Sequence, residues 1–209
     1  MSTVRARELA VEGAFEFTPR AFPDHRGFFV SPFQESALVA AAGFPLFPVR
    51  QLSYSLSRRG VIRGVHYTAT PPGMAKYVHC ARGRVLDLVV DVRVGSPTYG
   101  RFDTVLLDQR DFRSVYFPVG VGHMFVALED DSIMSYALAG EYAPRHERAV
   151  SPFDPRLGLP IPDDIVPVLS DRDRHAPTLE EAEANGELPL YARCRELEAE
   201  FARTLTPSP

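Results

Sequence analysis

The chain has 209 residues, 45% hydrophobic and 24% charged, enough apolar material for a sizeable core. Its net charge of −4 is dispersed with no basic block, which argues against a nucleic-acid partner. No apolar run approaches a membrane span, and the opening stretch MSTVRARELAVEGAFEF lacks the apolar centre of a signal peptide. Cys80 and Cys194 lie far apart without CxxC spacing, so neither a disulfide framework nor a zinc site is indicated, and a soluble cytoplasmic protein is expected.

Nineteen prolines, about twice the usual share, disfavour long helices and favour short strands joined by turns. In chain order, Phe28–Val30 reads as a strand after a turn at 24–27. Ser36–Ala42 reads as a short helix stopped by Gly43. QLSYSL within Val49–Leu56 alternates like a half-buried strand, and Val61–Tyr67 follows the turn-like SRRG. Tyr77–Ala81 and Val85–Val92 flank Arg82–Gly83–Arg84 as a hairpin. GSPTYG at 95–100 is a loop; Asp103–Leu107, Ser114–Pro118, Phe125–Leu128 and Ile133–Leu138 are further strands. About ten short strands with turn signals between them predict an all-β jelly roll. Residues 144–177 are proline-rich and irregular. Leu179–Ala202 has a helical pattern, with Thr178 as N-cap and Glu181 at the capping-box position. The expectation is a single domain over 1–209, with a barrel core at about 15–140 and the irregular segment and C-terminal helix at 144–209.

The segment GVIRGVHYTATPPGMAKY, residues 60–77, concentrates positive charge in an apolar neighbourhood: Arg63, His66 and Lys76. Like charges repel, so such a cluster implies an anionic ligand or an enolate-like intermediate between them. Strict alternation puts Arg63 and His66 on opposite faces of a strand. Either Gly64 admits a bulge that brings both to one site, or Arg63 points to solvent or a partner subunit. PVGVGH, ending at His123, matches the second metal motif of cupin barrels, but the first motif is incomplete after His66. A three-histidine metal site from His66, His79 and His123 is the alternative, and would suit a metal-dependent oxygenase or isomerase. LSDRDRHAP offers Asp171 and Asp173 as partners for an imidazole; on residue chemistry alone it reads as a solvated turn of self-paired charges. Tyr142 is a candidate phenolic acid. There is no GxSxG, P-loop or GxGxxG, so nucleophilic hydrolysis, P-loop chemistry and Rossmann cofactors have no support.

FPDHRGFF (22–29), QLSYSLSRRGVIRGVHY (51–67), PPGMAKYVHCARGRVLDLVVDVRVGSPTYGRF (71–102), VYFPVGVGHMFVALEDD (115–131), EYAP (141–144) and LSDRD (169–173) together resemble the dTDP-4-dehydrorhamnose 3,5-epimerases and their antibiotic-pathway relatives. The resemblance implies a cupin-like jelly-roll homodimer without metal or organic cofactor. Its implied substrate is a dTDP-linked 4-keto-6-deoxyhexose, epimerised at carbon 5, carbon 3 or both through an enolate. It places the general base at His66, its supporting carboxylate at Asp173, the reprotonating tyrosine at Tyr142 (with Tyr136 the weaker fit) and the enolate-stabilising lysine at Lys76. Arg63, Gln51, His123 and Asp87 match site-lining positions. Arg26 and Phe28 match a segment that reaches the nucleotide from the partner chain. Ser31, Ser53, Thr68 and Gly73–Met74–Ala75 depart from the rhamnose-pathway pattern and resemble the branch acting on deoxysugars of antibiotics. A non-catalytic sugar-nucleotide binding protein is the rival from another class.

Overall fold

Strand sequences such as RVLDLVV and GHMFVA are apolar on consecutive residues, as expected of a sheet covered on both faces. The computed structural model, which describes residues 4–205, shows such a sheet. In chain order the described residues form β1 (Val4–Glu8), β2 (Phe15–Pro19), β3 (Phe22–Asp24), β4 (Gly27–Phe29), α1 (Glu35–Ala42), β5 (Gln51–Ser57), β6 (Ile62–Thr68), β7 (Lys76–Arg82), β8 (Arg84–Val90), β9 (Phe102–Asp108), β10 (Ser114–Phe117), β11 (Gly122–Ala127), β12 (Ser132–Leu138), β13 (Glu147–Ala149), α2 (Asp171–Arg174), α3 (Leu179–Ala184) and α4 (Tyr191–Leu205).

Among these residues the strands build two facing antiparallel sheets, ordered β1-β2-β10-β7-β12-β5 and β13-β6-β11-β8-β9, and a separate β3-β4 ribbon. The expected jelly roll is thus observed. Between the sheets lies a core of Val78, Val85, Val89, Val115, Phe117, Phe125 and Met134. The outer face of the five-stranded sheet, with Ile62, Leu88 and Met124, is covered by Val150, Leu157, Ile165 and Leu179 from the irregular segment and α3. The outer face of the six-stranded sheet, with Phe17, Tyr77 and Tyr116, is covered by Leu38 of α1 and by Cys194 and Leu197 of α4.

α1 ends where expected: Gly43 adopts φ +81° and its N–H bonds to Val39 O. The capping box of Thr178 and Glu181 is also present. The helix expected over Leu179–Ala202 is two helices instead. Gly186 turns the chain with φ +67°, and Leu190 then makes a parallel bridge to Val94 before α4 begins. The stretch 144–177 contains β13 and α2, short elements that its prolines hid. β1 and β2 were not expected: β1 has only Val4 and Ala6 as apolar positions, although Phe15 and Phe17 of β2 alternate as a strand does.

Candidate active site

The site begins with an irregularity in β6. In its pairing with β11, His66 faces His123 and Arg63 faces Phe125, so Gly64 and Val65 together face Met124. That is a bulge, and only glycine fits it. Gly64 has φ +120°, and a Cβ there would stand 2.3 Å from His123 O and 2.7 Å from Met124 Cα. The extra residue turns Arg63 to the side of His66, and both line one cavity of about 290 Å³ between the sheets. Arg63 is anchored there by Ser57 Oγ (3.2 Å) and Leu56 O (3.3 Å).

The two sheets supply opposite walls. β6 and β11 bring Arg63, His66 and His123; β5, β7 and β12 bring Gln51, Ser53, Ser55, Lys76 and Tyr136. β5 alternates as expected, but with the opposite facing from an ordinary half-buried strand. Its polar residues face the cavity, while Leu52, Tyr54 and Leu56 are 67%, 70% and 61% exposed.

His66 Nε2 lies 2.6 Å from Oδ1 of buried Asp173. The backbone places that carboxylate in two steps. Val168 is clamped beside β6 by Ile62 N–H to Val168 O and Val168 N–H to Gly60 O, 3.0 and 2.9 Å. Ser170 then caps α2, its Oγ accepting from Asp173 N–H. The Asp173 carboxylate is left to meet the histidine. Burial raises its pKa, but the hydrogen bond and charge of His66, the Ser170 contact and Arg172 outweigh this, so Asp173 titrates below its usual range. Burial also lowers the pKa of His66, aided by Arg172 and Lys76 and opposed by Asp173. The net shift is downward, and the ring is neutral near pH 7.

His123 Nε2 stands 2.6 Å from Oδ1 of fully buried Asp87, making a second histidine–carboxylate pair beside the first. Asp87 sits behind His123 rather than on the cavity wall. Lys76 is buried, bonds to His66 O at 3.4 Å, and has its pKa lowered by that burial. Tyr136 hydroxyl lies 3.1 Å from Ser55 Oγ, and burial pushes its pKa up to about 12. Tyr142 also lines the cavity, but at its mouth, 54% exposed, with its N–H bonded to Gln51 Oε1 at 2.8 Å.

Arg26 and Phe28 do not join this cavity. They lie on the exposed β3–β4 ribbon, where Arg26 pairs with Asp24 at 2.6 Å and Phe28 packs on Phe112. His79 is also absent from the wall, and among the described residues no three His, Cys, Asp or Glu side chains are grouped to hold a metal ion. The sequence reading missed Arg172 and Glu147. Arg172 lay within SDRDR, which reads as a surface turn, and Glu147 lay in the segment read as irregular.

The model of the dTDP-4-dehydrorhamnose 3,5-epimerase family matches residues 8–181. A dTDP-4-dehydrorhamnose 3,5-epimerase of Mycolicibacterium smegmatis is 48% identical over 96% of this chain and 98% of its own. A dTDP-4-dehydro-6-deoxyglucose 3-epimerase of Streptomyces bikiniensis is 47% identical over 90% of this chain and 95% of its own. A crystal structure of a 3'-monoepimerase from Streptomyces bikiniensis in complex with dTDP superposes with a TM-score of 0.89 at 43% identity, covering 95% of this chain and 99% of that one. It is a double mutant, histidine to asparagine and tyrosine to phenylalanine. With its bulged β6, its paired histidines and these likenesses along nearly its whole length, the chain belongs to the dTDP-4-dehydrorhamnose 3,5-epimerase family.

Proposed function

We propose that this chain is an isomerase that epimerises a dTDP-linked 4-keto-6-deoxyhexose at carbon 5, carbon 3 or both. The observation that carries the reading is the opposition of His66 and Tyr136. They enter one cavity from facing sheets, as an abstraction from one face of a sugar and a return on the other require. Nε2–H held by Asp173 leaves Nδ1 with a lone pair. That nitrogen takes a proton from the carbon beside the ketone. The C–H electron pair forms a C=C bond to the carbonyl carbon, and the C=O π pair moves onto oxygen, giving an enolate. Lys76 stabilises that charge, as a buried donor does in a site of low dielectric, and His123 lines the wall beside it. Reprotonation returns the electron pair to carbon; His66 then loses its proton, and the acid regains one, by exchange with water. Gln51 lines the wall near the mouth, and Arg63 and Arg172 face the diphosphate.

The acid is Tyr136 in this reading rather than Tyr142, which the resemblance favoured. A donor must hold its proton until the enolate forms, and the raised pKa of buried Tyr136 ensures that. The histidine and tyrosine replaced in the Streptomyces bikiniensis double mutant are separated in sequence as His66 and Tyr136 are. Tyr142 at the mouth offers its ring to the planar base. Tyr136→Phe is expected to lower kcat by about 10²-fold or more, and Tyr142→Phe by less than about 5-fold. Steady-state assays with dTDP-4-keto-6-deoxyglucose check this, and the reverse ranking would return the role to Tyr142.

The chain is proposed to work as a homodimer. Leu52, Tyr54 and Leu56 on edge strand β5, with Phe22, Phe28 and Phe29 on the ribbon, expose apolar surface of the kind that partners cover. Arg26 and Phe28 then reach the partner's nucleotide. Leu52→Glu with Leu56→Glu is expected to halve the mass measured by analytical ultracentrifugation; an unchanged mass places the interface elsewhere.

A further inference from the structure

Arg172 makes a contact that the mechanism above does not use. Its Nη2 stands 2.7 Å from His66 Nε2, the same nitrogen that Asp173 Oδ1 approaches at 2.6 Å. The two contacts demand opposite protonation. Asp173 can only accept, so its bond needs a hydrogen on Nε2. Arg172 can only donate, so its bond needs a lone pair there. A neutral imidazole with its hydrogen on Nε2 has the lone pair on Nδ1 and is a base. With the hydrogen on Nδ1 that nitrogen cannot take a proton from carbon. Two residues adjacent in sequence therefore compete for one atom, one favouring the competent base and the other the idle form. Arg172 weakens its rival further, since its Nε lies 3.5 Å from Asp173 Oδ1 and draws on that carboxylate's charge.

Arg172 has somewhere else to go. Its side chain is 43% exposed and lines both the main cavity and an adjoining crevice, shared with Arg63 and Ser170. Arg63 makes no ion pair among the described residues and bonds only neutral oxygens. Two guanidinium groups at this junction suit a diphosphate, which each grips through paired N–H donors.

We propose that Arg172 is a positioning residue that sets the tautomer of His66, holding part of the His66 population idle until the diphosphate of the bound substrate draws the guanidinium away. Proton abstraction is thereby tied to occupancy of the nucleotide end of the site. The diphosphate half of this inference rests on the sugar-nucleotide reading; the competition for Nε2 does not.

The test is NMR of the full-length protein labelled with ¹⁵N at histidine, in which the two ring nitrogens report the tautomer directly, with thymidine diphosphate as the probe. In the unliganded wild type His66 is expected to divide between the Nδ1–H and Nε2–H forms. Arg172→Met keeps the aliphatic stem and removes the donor, and is expected to give the Nε2–H form without ligand. Thymidine diphosphate is expected to convert the wild type to Nε2–H and to leave Arg172→Met unchanged. Equal tautomer populations in the two unliganded proteins would overturn the competition. Binding of thymidine diphosphate to the wild type, seen as shifts in other cavity resonances, with no change at His66 would overturn the switch. No binding at all would instead sink the sugar-nucleotide reading, and with it the trigger, while the unliganded pair still decides the competition.

Discussion

His66→Ala is expected to lower kcat/KM by about 10²–10⁴-fold while the protein remains folded. The His66 side chain is only 21% exposed, so truncation also removes some packing and the partner of buried Asp173, but the loss of activity has another source. Truncation removes the group whose pKa burial holds below the ordinary imidazole value of about 6.5. The same shift fixes the sign of the pH dependence. The neutral ring is the active form, so kcat/KM falls as pH drops through a pKa below about 6.5. Asp173 opposes the downward shift, so Asp173→Asn moves the acid limb lower still, and it also weakens the hold on the productive tautomer. Stopped-flow or steady-state rates from pH 5 to 8, with circular dichroism to confirm folding, check these expectations. Wild-type rates in His66→Ala would remove it as the base.

Gly64→Ala is expected to cost about 2–4 kcal/mol and to lower the melting temperature by roughly 5–15 °C. The added Cβ would meet backbone atoms, His123 O and Met124 Cα, at 2.3 and 2.7 Å, and neither can step aside as a flexible side chain would. Relaxation has to undo the bulge. That returns β6 to strict alternation, which sends Arg63 and His66 to opposite faces. Activity is therefore expected to fall even at temperatures where the variant is folded. Differential scanning calorimetry with an assay at 15 °C separates the two losses. A stable, fully active Gly64→Ala would show that the bulge does not build the site.

The bulge was one of two readings open in advance, since Gly64 between Arg63 and His66 could bring both to one site or Arg63 could point to solvent or a partner; the register of β6 against β11 decides for the bulge. The strands of the barrel core were legible because, covered on both faces, they read as continuous apolar runs between turns. β5 shows where periodicity stops being informative. Its alternation identifies two faces but not which one is inside, and a cavity that needs Gln51, Ser53 and Ser55 reverses the usual facing. Arg172 was illegible because a local run of opposite charges looks self-paired. Only the clamp of Val168 onto β6, a contact more than a hundred residues apart in sequence, brings that turn to His66. The proposal of Tyr136 over Tyr142 likewise rests on depth in the cavity, which sequence spacing does not report. The break before α4 was signalled by Gly186, yet apolar spacing continued through it.

Proton exchange in heavy water tests whether the chain is an epimerase. The protein is incubated with dTDP-4-keto-6-deoxyglucose, and deuterium at carbons 3 and 5 is followed by NMR. Deuterium is expected at one or both carbons and is expected to be lost in His66→Ala. Deuterium at both identifies a 3,5-epimerase, and deuterium at one identifies a mono-epimerase. Absence of deuterium from both positions, with the sugar nucleotide shown to be bound, would contradict the epimerase function.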